Sequence, residues 1–279
     1  MTNRILNLLV LVALALFMTS CSDFENNIYI NADGSGKVNM RYDASEMVAM
    51  AEMMKGMEED VEEEVIEENN QDVDFMSMLN GLGNPSNLQD VDSTFTFYEV
   101  APDSLRRTIE NPELLKNVSM TVNTNKSEMT AVMGMEMRYK SLDELDQIFL
   151  TLKEMGDKED GDENGQMDGV KELIRNYEAD LKNGIVTLPE QDFSGDLAGD
   201  GMGNEDIDFD NMSDEESGMM QMMLGESGYV TTIHLPGEVI SCDDTEAVIE
   251  GNKVTIRDSY MTLMKKGIFK ARTIKYKVK

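Results

Sequence analysis

Met129-Thr130-Ala131-Val132-Met133-Gly134-Met135-Glu136-Met137-Arg138-Tyr139-Lys140 sets the fold class of this chain. Met129, Ala131, Met133, Met135, Met137 and Tyr139 share one parity, while Thr130, Gly134, Glu136, Arg138 and Lys140 share the other. Apolar residues at period two predict a long strand with one face buried. The next residues change period. Ser141 and Glu144 have the spacing of a capping box, and Leu142, Leu145, Ile148 with Phe149, Leu152 and Met155 then recur at helical intervals. Gly156 is placed to end that helix. A half-buried strand running into an amphipathic helix places the chain among proteins that pack helices against a sheet.

The same alternation extends outward in both directions. On the N-terminal side, Val118, Met120 and Val122 predict a partner strand, joined by a turn at Thr124-Asn125-Lys126. A helical stretch from about Asp103 to Lys116 contains Pro112, which splits it into two short helices. Ile28 and Ile30 alternate, as do Val38, Met40 and Tyr42, and Ala32-Asp33-Gly34-Ser35-Gly36 between them is a hairpin turn. Asp43 or Ser45 then caps a helix carrying Met47, Met50, Met54 and Met57 as a stripe. On the C-terminal side a third helix is expected from about Val170 to Leu181, with Leu173, Ile174 and Tyr177 as its apolar face. Tyr229–Leu235 reads as a strand, and Val248–Ile256 as a hairpin turning at Gly251-Asn252. Ile274, Tyr276 and Val278 alternate out of phase with Phe269 and Ala271, which predicts a bulge near Arg272. Together these give an α+β fold, an antiparallel sheet with helices packed on one face.

Charge divides the chain. Its 279 residues carry 55 Asp and Glu against 24 Lys and Arg, a net charge of −31. Phosphate recognition needs a cationic footprint, so nucleic acid is excluded as a partner. The acids are concentrated. Glu58–Asp74 holds ten acids and no base in 17 residues, and Glu190–Glu216 holds eleven acids and no base in 27. Without these runs the net charge is about −10, which is ordinary for a soluble domain. Both are read as long acidic disordered insertions. One discontinuous domain is therefore expected over 21–57, 90–189 and 225–279, interrupted by an acidic loop at 58–89 and an acidic loop with Gly and Met at 190–224. Lys265–Lys279 is the opposite, with seven bases and no acid. It reads as a cationic edge strand, a guard against aggregation.

The first 20 residues read as a lipoprotein signal peptide. Arg4 supplies a positive start, and Ile5–Met18 is an apolar run broken only by Asn7. A membrane span needs about 20 residues, so this run fits a signal h-region instead. Met18-Thr19-Ser20-Cys21 resembles a bacterial lipobox, whose Cys takes a diacylglyceryl group and becomes the mature N-terminus. Cys21 is thus the expected lipidation site, and the membrane is the expected partner through that anchor. Acyl burial contributes roughly 0.8 kcal/mol per CH₂, and two or more chains hold a protein stably. The expected location is the cell envelope, at the outer membrane on its periplasmic or cell-surface side. Ser22-Asp23-Phe24-Glu25 resembles the surface-export signal of some Gram-negative lipoproteins.

Candidate sites are few. Asp160-Gly161-Asp162-Glu163-Asn164-Gly165-Gln166-Met167-Asp168 has the first three-quarters of an EF-hand calcium loop. Asp160, Asp162, Asn164 and Asp168 are its candidate metal ligands, although Lys171 stands where the bidentate Glu belongs. Met219-Met220-Gln221-Met222-Met223 and the Met47–Met57 stripe raise Cu(I), which thioethers suit, but Met is equally an adaptable core filler. With Cys21 acylated, Cys242 has no intrachain disulfide partner. His234 is the only histidine, and a His234–Cys242 pair is the alternative to a plain strand histidine. There is no Gly-rich phosphate loop and no GxSxG motif, so an enzyme is not expected and no resident cofactor is implied.

The layout as a whole resembles bacterial lipoproteins of the LppM-domain type. The likeness rests on the lipobox at Cys21, the Asp33-Gly34-Ser35-Gly36 hairpin, the Leu235-Pro236-Gly237 strand end and the Gly251-Asn252-Lys253-Val254 hairpin. It covers most of Cys21 to Ile256 apart from the acidic segments. The resemblance implies an envelope-anchored α+β domain that binds a lipid-like or hydrophobic ligand between sheet and helices, without catalytic residues. The alternatives are a calcium-binding surface protein or a structural lipoprotein that binds an envelope partner.

Overall fold

The Met-rich strand is the spine of the molecule. A computed structural model describes residues 23–45, 48–49, 90–159, 176–192 and 227–278. The signal segment, Cys21, the calcium-like loop Asp160–Asp168 and both Met clusters lie outside the described residues, apart from Val48 and Ala49 within the first stripe. Strands β1 (Phe24–Ile30), β2 (Gly36–Asp43), β3 (Val91–Thr96), β4 (Val118–Asn125) and β5 (Thr130–Tyr139) come first in chain order. β6 (Glu178–Asp180), β7 (Ile185–Leu188) and β8 (Gln191–Asp192) follow. β9 (Gly228–His234), β10 (Val239–Cys242), β11 (Val248–Glu250), β12 (Lys253–Ser259), β13 (Ile268–Phe269) and β14 (Arg272–Tyr276) complete the set. The helices described from end to end are α1 (Phe97–Val100), α2 (Asp103–Arg106), α3 (Leu142–Glu159) and α4 (Tyr260–Lys266), with a 3₁₀ turn at Pro112–Asn117.

The fold is α+β and its sheets are mainly antiparallel. Eight strands form the large sheet in the order β11-β12-β9-β1-β2-β5-β4-β3. A four-stranded sheet runs β10-β14-β7-β6, and β13 pairs with β8. One pair breaks the antiparallel rule. β1 lies parallel to β9, Phe24 opposite Tyr229 and Ile28 opposite Ile233. Parallel neighbours need a crossover connection, and more than half of the chain runs between these two strands.

Alternation in the sequence becomes one buried face. Ile28 and Ile30 of β1, Val38 and Met40 of β2, and Ala131 to Tyr139 at every second position of β5 are all buried. Leu145, Ile148, Leu152 and Met155 of α3 belong to the same apolar core. The methionines suit this role because an unbranched thioether fills irregular gaps. Ser141 caps α3 by accepting from the Glu144 amide at 3.2 Å. Glu144 returns the contact to the Lys140 amide at 2.5 Å, one residue before the expected Ser141.

Several expectations are corrected. Met129 is outside β5, at the end of its turn, with φ 52° and 42% of its surface exposed. α3 continues past Gly156 to Glu159. The expected third helix does not reach Leu181, because Glu178–Asp180 is strand β6, paired with β7; residues 170–175 lie outside the described residues. The acidic run from Glu190 begins inside the fold, since Gln191 and Asp192 form β8. The bulge near Arg272 is instead a break, with β13 and β14 belonging to different sheets. Nor is the basic C-terminal strand an edge: β14 lies between β10 and β7, while Lys265 and Lys266 end α4.

Arg272 ties the sheets together. It is buried, its Nε donating to Asp244 Oδ2 and its Nη2 to Asp258 Oδ1, each at 2.7 Å. Asp258 belongs to β12 of the large sheet and Arg272 to β14 of the smaller one. Burial pushes the Asp244 carboxyl upward, but the Arg272 hydrogen bond and the Glu246 amide outweigh it and hold the carboxyl below its usual range.

Candidate functional site

The second face of the large sheet is polar, and its register arranges the side chains in rows. Lys253 lies opposite His234, His234 opposite Tyr29, Tyr29 opposite Lys37 and Lys37 opposite Arg138. The Tyr29 and His234 rings stack, with centroids 4.2 Å apart and planes within 4°. Lys37 Nζ sits 5.0 Å from the Tyr29 ring centre and donates to Glu136 at 2.9 Å. Arg138 Nε donates to the other Glu136 oxygen at 2.7 Å. Burial raises the Glu136 pKa, but these two cations overcome it and keep the carboxylate ionised below its ordinary range. Burial, with Lys253 alongside, lowers the His234 pKa, so the ring is neutral at pH 7.

Beside this row lies a second: Thr255, Thr232, Asn27, Asn39 and Glu136 on successive strands. The Thr232 and Thr255 hydroxyls are 3.3 Å apart. A third row holds Arg257, Val230, Glu25 and Arg41. A groove of about 470 Å³ opens over these two rows. Its floor is Glu25, Asn27, Val230, Thr232, Thr255 and Arg257, and Glu246 and Val248 wall the β11 side.

Within the groove the only guanidinium is already bound. Arg257 reaches both carboxylate oxygens of Asp23, with Nη1 to Oδ1 at 2.8 Å, and Asp23 Oδ1 also accepts from the Gly228 amide at 3.0 Å. Glu25 and Glu246 have no ion-pair partner among the described residues. The groove therefore presents two open carboxylates, an amide and two hydroxyls beside an apolar rim from Val230 and Val248. That set accepts hydrogen bonds from amines and hydroxyls and covers a short apolar surface.

The residues singled out in the sequence are dispersed. His234 is on β9 of the large sheet and committed to Tyr29, whereas Cys242 is on β10 of the smaller sheet. Burial, together with Asp243 and Asp244, pushes the Cys242 thiol up, which keeps it protonated. Cys21 and the ligand set Asp160, Asp162, Asn164 and Asp168 lie outside the described residues. Among the described residues no three His, Cys, Asp or Glu side chains are grouped to hold a metal, and no helix is long and apolar enough to cross a membrane. Sequence reasoning missed Glu25, Asn27, Thr232 and Thr255. The polar parity of each strand was visible, but the cross-strand register that lines them up was not.

The buried face also holds the polar side chains Asn26, Thr124 and Thr231. Asn26 of β1 is 0% exposed and donates through Nδ2 to the Tyr229 hydroxyl at 3.2 Å, while its Oδ1 has no partner. Its surroundings are aromatic, Tyr229 stacking on Phe24 at 4.9 Å and meeting the Phe269 edge at the same distance.

Comparison with protein-family models, curated proteins and solved structures finds no match to the chain.

Proposed function

We propose that this chain is a bacterial cell-envelope lipoprotein of the LppM-domain type, acylated at Cys21 and acting by binding rather than by catalysis. Its helices pack on the buried face of the large sheet and leave the polar face open to a partner in the envelope. The observation that carries the binding reading is the groove over Glu25, Asn27, Thr232 and Thr255, in which the Glu25 and Glu246 carboxylates have no ion-pair partner among the described residues. The anchor reading rests on the Arg4 start, the Ile5–Met18 run and the Met18-Thr19-Ser20-Cys21 sequence.

Intact mass of the full chain purified from bacterial envelopes tests the anchor. The expected mass is that of a chain starting at Cys21 with diacylglyceryl and N-acyl groups. Cys21→Ala should abolish that mass and release the protein from the membrane fraction. A chain with unmodified Cys21 overturns the reading.

A second reading is a lipid-like ligand held between sheet and helices. The partnerless Asn26 Oδ1 in an aromatic and aliphatic wall favours it, since a buried acceptor is costly unless something donates to it. Native mass spectrometry of the detergent-exchanged protein should then show a bound lipid, which Asn26→Leu weakens. A spectrum of ligand-free protein alone counts against this reading.

A further inference from the structure

The first strand begins almost at the anchor. Asp23 is clamped by Arg257 and the Gly228 amide, and Phe24 is stacked on Tyr229. Only Ser22 separates Asp23 from Cys21. A residue spans at most about 3.6 Å, so an acylated Cys21 holds Asp23 within about 7 Å of its own backbone.

The register shows what else occupies this end of the sheet. Asp258, Tyr229, Phe24, Tyr42 and Met133 lie in one row across five strands. β12 ends one residue beyond that row and α4 starts at once, the Tyr260 amide donating to Ser227 O at 3.2 Å. The Tyr260 side chain packs against the apolar core. α4 thus packs on β12 and β9, the latter next to β1, and neighbouring strands are separated by about 4.8 Å. Among its described side chains Thr262, Lys265 and Lys266 are exposed, and neither lysine has an ion-pair partner among the described residues. Three acids of this end are engaged, Asp23 by Arg257, Asp258 by Arg272 and Asp43 by Arg41, while Glu25 and Asp92 have no ion-pair partner among the described residues.

We propose that this end of the large sheet lies against the bilayer that holds Cys21, with Lys265 and Lys266 of α4 among the lipid phosphates. The proposal rests on acylation of Cys21. The partner is a phospholipid surface, because the lysines are close to the tether and basic side chains beside a lipid anchor are drawn to anionic headgroups. The strands then rise from the membrane, the hairpin at Asn31–Ser35 points away from it, and the groove over Glu25 and Asn27 opens in the lower half.

The test uses the full acylated chain with Cys242→Ser and a fluorophore on either Thr262→Cys or Lys140→Cys, both exposed positions. Lys140 follows β5 at the far end of the sheet, where Tyr139 lies opposite Gly36. The protein is reconstituted into phosphatidylcholine–phosphatidylglycerol vesicles carrying a headgroup nitroxide lipid. Emission at 262 should fall at least twofold and emission at 140 should not change. Lys265→Glu with Lys266→Glu should reduce the quenching at 262. Equal quenching at both sites, or none at 262, overturns the orientation. That result is the one expected if the acid-rich runs, which rejoin the described chain at this end at Asp90 and Ser227, hold it off the phosphates. Quenching at 262 that is indifferent to the two lysines overturns their role. Intact mass separates the two levels: unmodified Cys21 removes the anchor and this proposal together, whereas an acylated chain unquenched at 262 removes only the orientation.

Discussion

Gly36 and Arg272 show how much single residues decide here. A Cβ on Gly36 would lie 2.0 Å from the Tyr29 carbonyl oxygen and 2.2 Å from the Tyr139 hydroxyl. That hydroxyl donates to the same carbonyl at 3.0 Å and meets Tyr177 at 2.6 Å, so it cannot simply move aside. Gly36→Ala should cost about 3 kcal/mol, the upper part of the range for overpacking, and urea unfolding checks it. A loss below about 0.5 kcal/mol would show that the site relaxes. Arg272→Ala leaves the half-buried Asp244 and Asp258 without their cation. Breaking such a network costs about 3–5 kcal/mol, and the same urea experiment should show a large drop in midpoint. In the sequence Arg272 is one of seven bases in a run; its partners, 28 and 14 residues upstream, are set by the folded chain.

Elements were legible in proportion to their apolar period. β5 and α3 each carry a long, regular pattern, and both are present, with Ala131, Met133, Met135, Met137 and Tyr139 of β5 and Leu145, Ile148, Leu152 and Met155 of α3 buried. Ile148→Ala should therefore cost about 2–5 kcal/mol, whereas Leu150→Ala, at a position 65% exposed, should stay within about 0.5 kcal/mol. Similar effects at both positions, measured by thermal or urea unfolding, would contradict the helix orientation. β3 was missed because Val91–Thr96 is an edge strand with no fully buried side chain to set a period. β6 has three residues, too few for a pattern, and the apolar spacing that ended at Tyr177 pointed to a helix. Tyr177 is held by the Tyr139 hydroxyl instead, a contact across 38 residues. α4 went unread because its seven residues, Tyr260–Lys266, make two turns and bury Leu263 as their clearest core contact.

At the scale of the molecule, pH reports on how the charges are used. The Asp244 and Glu136 carboxyls are held below their ordinary values of 3.8 and 4.5, so their contribution to stability is full above those values and is lost as pH falls through the lower folded values. His234 is also depressed from 6.5, so the unfolded chain binds its proton first and stability declines modestly as pH drops below about 6.5. Thermal melts should be level near pH 7, slope gently below 6.5 and fall steeply below 4. His234→Gln should remove the gentle slope and keep the steep one; a variant that retains both would place the upper titration elsewhere. The sequence by itself determined the α+β class, the buried parity of the main strands, the α3 face and the segregation of acids into two runs, because each depends on periodicity or local composition. Only the tertiary structure decided the parallel β1–β9 pair, the division into separate sheets, the Arg272 bridge and the alignment of Glu25, Asn27, Thr232 and Thr255 into a groove. These depend on register between strands up to two hundred residues apart, and register is fixed by packing across the whole core rather than by any local pattern.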